Sequence, residues 1–292
     1  MTELTFGLVP VDMPFTHATY RFPWSAVTDV LAAWQEWMSA CPPDSWTVVE
    51  LETQAPGAGA LPEAVVEVSY AGTPTELEPI VAGLIDAAGV APEHRTVECG
   101  PFLDVEKDFF CRGLRRKECG LGGKSAAGGV PRPAFYAKTD VAKAPWPAAC
   151  LDTLVEWMER RQRDRTLTPE RFDLGHTVGK VFLEPAGGAV NATAPDATAF
   201  VHRDNLFSAQ FQSRWRGGSS QEVVDANLEW LRGLYTALAP WRSGSAYQNY
   251  IDPDLENWQE AYYGTNLPRL REVKAAYDPG ELFKFPQSIP PG

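Results

Sequence analysis

A chain of 292 residues, 44% hydrophobic and 11% aromatic, carries enough apolar material for a substantial core, in one large domain or two small ones, so disorder is not its default state. Its net charge of -12, with no lysine- or arginine-rich stripe, argues against nucleic acid as a partner. No stretch reaches the roughly 20 apolar residues of a membrane helix, nothing at the N-terminus reads as a targeting segment, and the expected location is the cytoplasm.

In chain order, Thr2–Val11 alternates loosely and reads as a strand, followed by a helix over Phe22–Ala40 that Ser25 can cap and Pro42-Pro43 ends. Ser45–Gln54 and Ala64–Ala71 are β-rich runs separated by the loop Ala55–Gly59. Thr75–Val90 reads as an amphipathic helix with Thr75 and Glu78 as a capping box, and Thr96–Leu103 as a strand. Gly120–Pro133 is a loop. Strands are then expected over Ala134–Thr139, Gly179–Glu184, Leu206–Trp215 and Ala246–Ile251. Helices are expected over Pro147–Arg160, Ser220–Ala239, Asp254–Tyr262 and Thr265–Tyr277, before a Pro-rich tail. The arginine run 160–165 is expected to be a solvated helix end. Strands joined by hairpins or helices imply an α+β fold, an antiparallel β-sheet covered by helices.

Several chemistries lack their residues. Gly123-Lys124-Ser125 would end a phosphate loop only with glycine at 118, where Glu118 stands, and no Gly-x-Gly-x-x-Gly occurs. His17, His94, His176 and His202 are scattered without a metal-spaced partner, so no metal is expected, and His202-Arg203 reads as structural or as part of a domain interface. No Gly-x-Ser-x-Gly elbow is present. Cys41, Cys99, Cys111, Cys119 and Cys150 are odd in number and form no CxxC pair. They read as buried free thiols, not as a disulfide framework.

The most informative stretch is the last. Tyr247, Asn249 and Tyr250 crowd one short segment. As a strand, it would put Tyr247 and Asn249 on one face and Tyr250 on the other unless a bulge intervenes. Asp252-Pro253 then leads through Trp258, Tyr262-Tyr263-Gly264, Asn266, Arg269-Leu270, Lys274, Tyr277-Asp278-Pro279 and Phe283 to Gln287. Aromatic strands are often plain core, so composition alone leaves this reading open beside a functional one.

This pattern resembles the C-terminal part of berberine-bridge-enzyme-like FAD-linked oxidases, in the vanillyl-alcohol-oxidase flavoprotein class. Upstream, Ala134–Asp140, Glu184–Asn191, Phe200–Arg203 and Gln210–Trp215 resemble strands of the same family, and Thr2–Pro10 resembles the last strand of its flavin domain. The resemblance implies residues 1–12 as that last strand, 13–245 as a substrate domain and 246–292 as a C-terminal motif returning to the flavin domain. It implies FAD, held mainly by a domain outside this chain, and a small-molecule substrate. Tyr250 would act as catalytic base with Tyr247 beside the flavin ring, Asn249 would hold the flavin's pyrimidine edge, and Gln210 and Glu184 would line the substrate pocket. The family's flavin-binding half is not in these 292 residues. Three explanations stay open: a gene model that starts late or a sequence fragment, a separate FAD-binding chain, or a flavin-free small-molecule binding or structural module without redox chemistry.

Overall fold

The computed structural model describes residues 3, 5–8, 11–54, 61–111, 134–164 and 177–292. The loops expected at 55–59 and 120–133, Arg165, His176 and Cys119 lie outside them. Seven strands are formed there: β1 Pro14–Phe22, β2 Ser45–Gln54, β3 Glu63–Tyr70, β4 His94–Pro101, β5 Ala134–Ala142, β6 Thr177–Pro185 and β7 Phe207–Trp215. They make one sheet in the order β4-β1-β3-β2-β6-β7-β5, with every neighbouring pair antiparallel. The expected α+β architecture is therefore the observed one.

Alternation along each strand divides the sheet into two faces. Ala18, Tyr20, Val49, Leu51, Val66, Val68, Val181, Leu183, Ala209 and Phe211 point to one side and are buried. Four helices cover that side: α1 Val27–Trp37, α2 Pro74–Ala88, α4 Ala148–Arg163 and α5 Gln221–Ala237. Each lays a stripe against the sheet, such as Leu77, Val81 and Leu84 of α2 or Trp230, Leu231 and Leu234 of α5. A further helix, α3 Phe102–Cys111, follows β4 directly, and two short ones, α6 Trp258–Tyr263 and α7 Leu267–Tyr277, belong to the C-terminal segment.

Local chemistry sets the helix starts. Thr73, not Thr75, caps α2: its side chain accepts from the Glu76 amide and Glu76 accepts from the Thr73 amide. Both threonines precede a glutamate by three residues, but Pro74 has no amide hydrogen and fits the first helical position, which assigns the cap to Thr73. Ser25 is no cap, because a 3-10 turn over Trp24–Ala26 precedes α1.

Other expectations are corrected. Thr2–Val11 forms no strand over residues 3, 5–8 and 11, and Phe6 and Leu8 are exposed. Alternation makes a strand only where a neighbour takes up its hydrogen bonds, and the described sheet offers this segment none. The arginine run is not uniformly solvated. Arg161 is 1% exposed, donates to Asn227 Oδ1 at 2.8 Å and lies over the Trp230 ring, and burial pushes its guanidinium down to about 9. Of the described cysteines Cys150 is buried, Cys41 half-buried and Cys99 exposed on the edge strand β4.

Helices α4 and α5 approach closely at Gly233, where a Cβ would collide with the Trp157 ring. The Trp157 ring is covered in turn by the Arg160 guanidinium, 4.7 Å from its centroid. Gly233→Val should therefore destabilise the fold by about 1–3 kcal/mol, as overpacking does. The check is a lowered urea midpoint at unchanged slope.

Candidate functional site

The sheet face opposite the helices carries the polar side chains. Register aligns Glu50 of β2 with Phe182 of β6 and Gln210 of β7, and Glu52 with Lys180 and Gln212. Glu184 faces Ser208, and Thr139 of β5 faces Gln210. Lys180 is held by Glu50 and Glu52, each at 2.6 Å, and lies 4.2 Å from the Phe182 ring centroid. Arg214 donates to Gln212 Oε1 at 2.6 Å, and Gln212 Nε2 donates to Gln210 Oε1 at 2.6 Å. A guanidinium can only donate, so this chain fixes the amide direction of both glutamines.

The C-terminal segment arrives at β5, the sheet edge. Ser243 donates its amide to Asp140 Oδ1 at 3.1 Å, and the Tyr247 amide donates to Thr139 Oγ1 at 3.1 Å. Buried His202 donates from Nε2 to the Ala246 carbonyl at 2.9 Å. The Ala246 amide bonds to the Ala261 carbonyl, and the Tyr250 amide closes a turn on the Tyr247 carbonyl at 2.9 Å. Ala246–Ile251 is therefore a turn and not the expected strand, because its amides go to side chains and local carbonyls instead of a ladder. The assignment of opposite faces to Tyr247 and Tyr250 falls with it. Their rings meet edge to face, with centroids 5.1 Å apart, and Phe200 packs edge-on against Tyr247.

Below this turn, Asp252 pairs with Lys138 Nζ at 2.9 Å, with side-chain exposures of 2% and 6%. The Asp252 amide donates to Tyr262 Oη at 2.9 Å, Tyr262 Oη contacts Gln287 Oε1 at 3.4 Å, and Gln287 Nε2 donates to the Asp252 carbonyl at 2.8 Å. This closed ring gives Tyr262 and Gln287 a structural role: they hold the turn.

The turn brings together most of the residues singled out from sequence. The Tyr250 hydroxyl interacts with the Glu184 carboxylate, which faces Ser208 across the β6–β7 register. Burial, the charge of Glu184 and neighbouring Tyr247 push the Tyr250 hydroxyl up to about 12, so Tyr250 keeps its proton and can offer it only as a donor to the carboxylate. Burial, reinforced by the Glu50 charge, also raises the Glu184 carboxyl, against the bonds from Ser208 and Tyr250. Asn249 is exposed and donates to Tyr247 Oη at 2.8 Å. Gln210 lies on the same sheet face, one strand from Glu184, and is tied to Gln212. Sequence reasoning missed Ser208, Glu50 and Thr139. Only the register, which sets them beside Glu184 and Gln210, reveals them.

A flavin's polar ring edge fits these groups. Gln248 Oε1, within the turn, is buried without a hydrogen-bond partner, and the exposed Asn249 amide and two phenol rings stand beside it. Among the described residues no group of three or more His, Cys, Asp or Glu side chains could hold a metal, and no helix is long and apolar enough to cross a membrane.

Comparison with known proteins finds relatives in both sequence and fold. Residues 246–290 match the family described as berberine and berberine-like. The FAD-linked oxidoreductase YgaK of Bacillus subtilis is 26% identical over 291 residues, covering 100% of this chain and 56% of that protein. The berberine bridge enzyme-like protein D-1 of Nicotiana tabacum is 30% identical over 188 residues, covering 54% of this chain and 30% of that protein. Among solved structures, a variant of BBE-like 1 from Physcomitrella patens superposes with a TM-score of 0.76 at 23% identity, over 96% of this chain and 55% of that one. A berberine bridge enzyme variant superposes with a TM-score of 0.78 at 22% identity, over 97% and 56%. The chain thus spans about half the length of the relative it matches from end to end. Residues 246–290 thus carry the berberine and berberine-like match, and the chain as a whole is similar to FAD-linked oxidoreductases and shares the fold of berberine-bridge-enzyme-like structures.

Proposed function

We propose that this chain is the substrate-covering part of a flavin-dependent alcohol oxidoreductase, in which Tyr250 removes the substrate's hydroxyl proton and Glu184 takes the proton that Tyr250 gives up. The observation that carries it is the electrostatic coupling of the Tyr250 hydroxyl to the half-buried Glu184 carboxylate, on the sheet face opposite the helices. A tyrosine pushed up to about 12 is a poor base alone. Coupled to a carboxylate, it never has to carry the negative charge: as the substrate proton reaches Tyr250 Oη, the tyrosine's own proton moves to Glu184. Ser208 faces that carboxylate across the β6–β7 register, and burial, reinforced by the charge of Glu50, keeps its proton affinity above that of an ordinary glutamate.

Asn249, Tyr247 and Gln248 would hold the ring of FAD, which when bound supplies the two-electron acceptor for the substrate's carbon-bound hydrogen. Gln210, its amide direction set through Gln212 and Arg214, would bind a substrate oxygen with its Nε2. Molecular oxygen is the proposed final acceptor.

The test is to produce the chain with any reading frame fused ahead of it or encoded beside it, purify the product and record its visible spectrum. Bound flavin that bleaches anaerobically with a primary or secondary alcohol is the expected result. A product that takes up no FAD but still binds small molecules would replace this reading with a flavin-free binding module.

A further inference from the structure

On the same sheet face as Tyr250, but across β1, β3 and β2, lies a second cavity of about 430 Å³. Its walls are Phe15, Pro43, Asp44, Ser45, Trp46, Ser69 and Glu106. Strands β6 and β7 separate it from the edge strand that carries the tyrosine turn, a span of about 14 Å from β2 to β5 at the usual strand spacing. It shares no lining residue with the site described above.

The register builds this cavity. Trp46 faces Ser69, and Ser69 faces His17, so one row of the open face runs across three strands. His17 Nδ1 and Ser69 Oγ are 3.0 Å apart, which fixes the hydroxyl at the cavity floor. The Trp46 indole is 41% exposed although it begins a central strand. Phe15 is held edge-on by Phe102 of α3, with centroids 5.0 Å apart and planes at 86°, so its ring position is set by packing. Helix α3 also delivers Glu106, half-buried, its carboxyl raised by burial. Among the described residues, no lysine or arginine lines the cavity, and neither Asp44 nor Glu106 has an ion pair.

Two aromatic rings and two carboxylates around one small space, with no cation among the described residues that line it, are complementary to a single ligand chemistry. An alkylammonium group is drawn to the negative faces of aromatic rings and to the carboxylates, and its methyl groups fill apolar space that a metal ion or a strongly hydrated sugar would not. A neutral apolar ligand would leave Glu106 desolvated without compensation, and an anion would meet two like charges. We infer that this cavity is a binding site for a small quaternary or tertiary organic ammonium compound, with Trp46 as the ring platform and Glu106 as the counter-charge.

The probe is choline, titrated at constant ionic strength into the chain labelled with fluorotryptophan and followed by fluorine NMR. One resonance, assigned by its loss in Trp46→Phe, should shift saturably. In Glu106→Gln, which keeps size and hydrogen bonding, the dissociation constant should rise about five- to tenfold, the effect of one such charge contact. The neutral analogue of choline, with a tert-butyl group in place of trimethylammonium, should give no saturable shift. An equal shift with the neutral analogue, or an unchanged constant in Glu106→Gln, overturns the inference. A stronger response to lysinamide than to choline overturns it too, by assigning the cavity to a polypeptide lysine. None of these readouts depends on flavin or on Tyr250, so this inference and the proposed oxidase function stand or fall separately.

Discussion

Tyr250→Phe, made in the flavin-loaded protein, should slow anaerobic flavin reduction by about 100- to 10,000-fold, the usual contribution of a positioned base. The ring keeps its edge-to-face contact with Tyr247, and only one hydroxyl is lost, so stability should change by no more than about 1.5 kcal/mol. Glu184→Gln keeps a hydrogen-bonding side chain beside Ser208 and Tyr250 but cannot take up a proton, so it should slow reduction in the same direction. The pH profile separates the two roles. The active form has Glu184 ionised, and its carboxyl is raised above the ordinary range by burial and by Glu50. Activity should therefore fall as pH drops through that raised value. In Glu184→Gln this acid limb should vanish, and the rate should climb only as pH approaches the Tyr250 value, which should lie below about 12 there because the Glu184 charge no longer raises it. Reduction in Tyr250→Phe at the unmodified rate would remove Tyr250 from the chemistry.

Much of the fold was legible because its helices carry one-sided stripes. The Val27, Val30, Leu31 and Trp34 stripe of α1 and the Leu77, Val81 and Leu84 stripe of α2 each point to the sheet. Strand β1 was not legible. It sits between β4 and β3, with Thr16, His17 and Ala18 buried in succession, so the alternation that marks a half-exposed strand is lost. Ala246–Ile251 failed in the opposite sense: its aromatic composition suits a strand, but its amides are taken by Thr139, Ala261 and the turn at Tyr247. The site divides in the same way. Tyr247, Asn249 and Tyr250 stood out through resemblance to a family, not through any physical signal. Their link to Glu184 exists only because the register sets Glu184 beside Ser208 on the face the turn covers, and no spacing in the sequence encodes that. Local period reports what one element buries, whereas a catalytic contact between elements is a property of the sheet.

The turn itself depends on a buried ion pair, which gives the second large effect. Lys138 and Asp252 are almost fully enclosed, Lys138 Nζ lies 5.1 Å from the Tyr235 ring centroid, and Tyr136 Oη donates to Asp252 at 3.3 Å. Lys138→Met keeps the length of the side chain but leaves the carboxylate buried without its cation. Removing one partner of such a pair costs about 3–5 kcal/mol. The lower end is expected here, because the Tyr136 hydroxyl and the Asp254 amide still donate to Asp252. Making Asp252→Asn in the same protein should recover part of the loss, since a neutral amide needs no counter-charge, and a double-mutant cycle over the four proteins would measure the coupling. The cost should also appear in function. Asp252 lies two residues beyond Tyr250, so loosening it frees the Tyr250 ring from Glu184 and slows flavin reduction although both catalytic groups are present. If Lys138→Met instead unfolds at the same urea midpoint and reduces flavin at the same rate, the turn is held by the Tyr262–Gln287 ring of hydrogen bonds alone, and the buried pair serves neither stability nor catalysis.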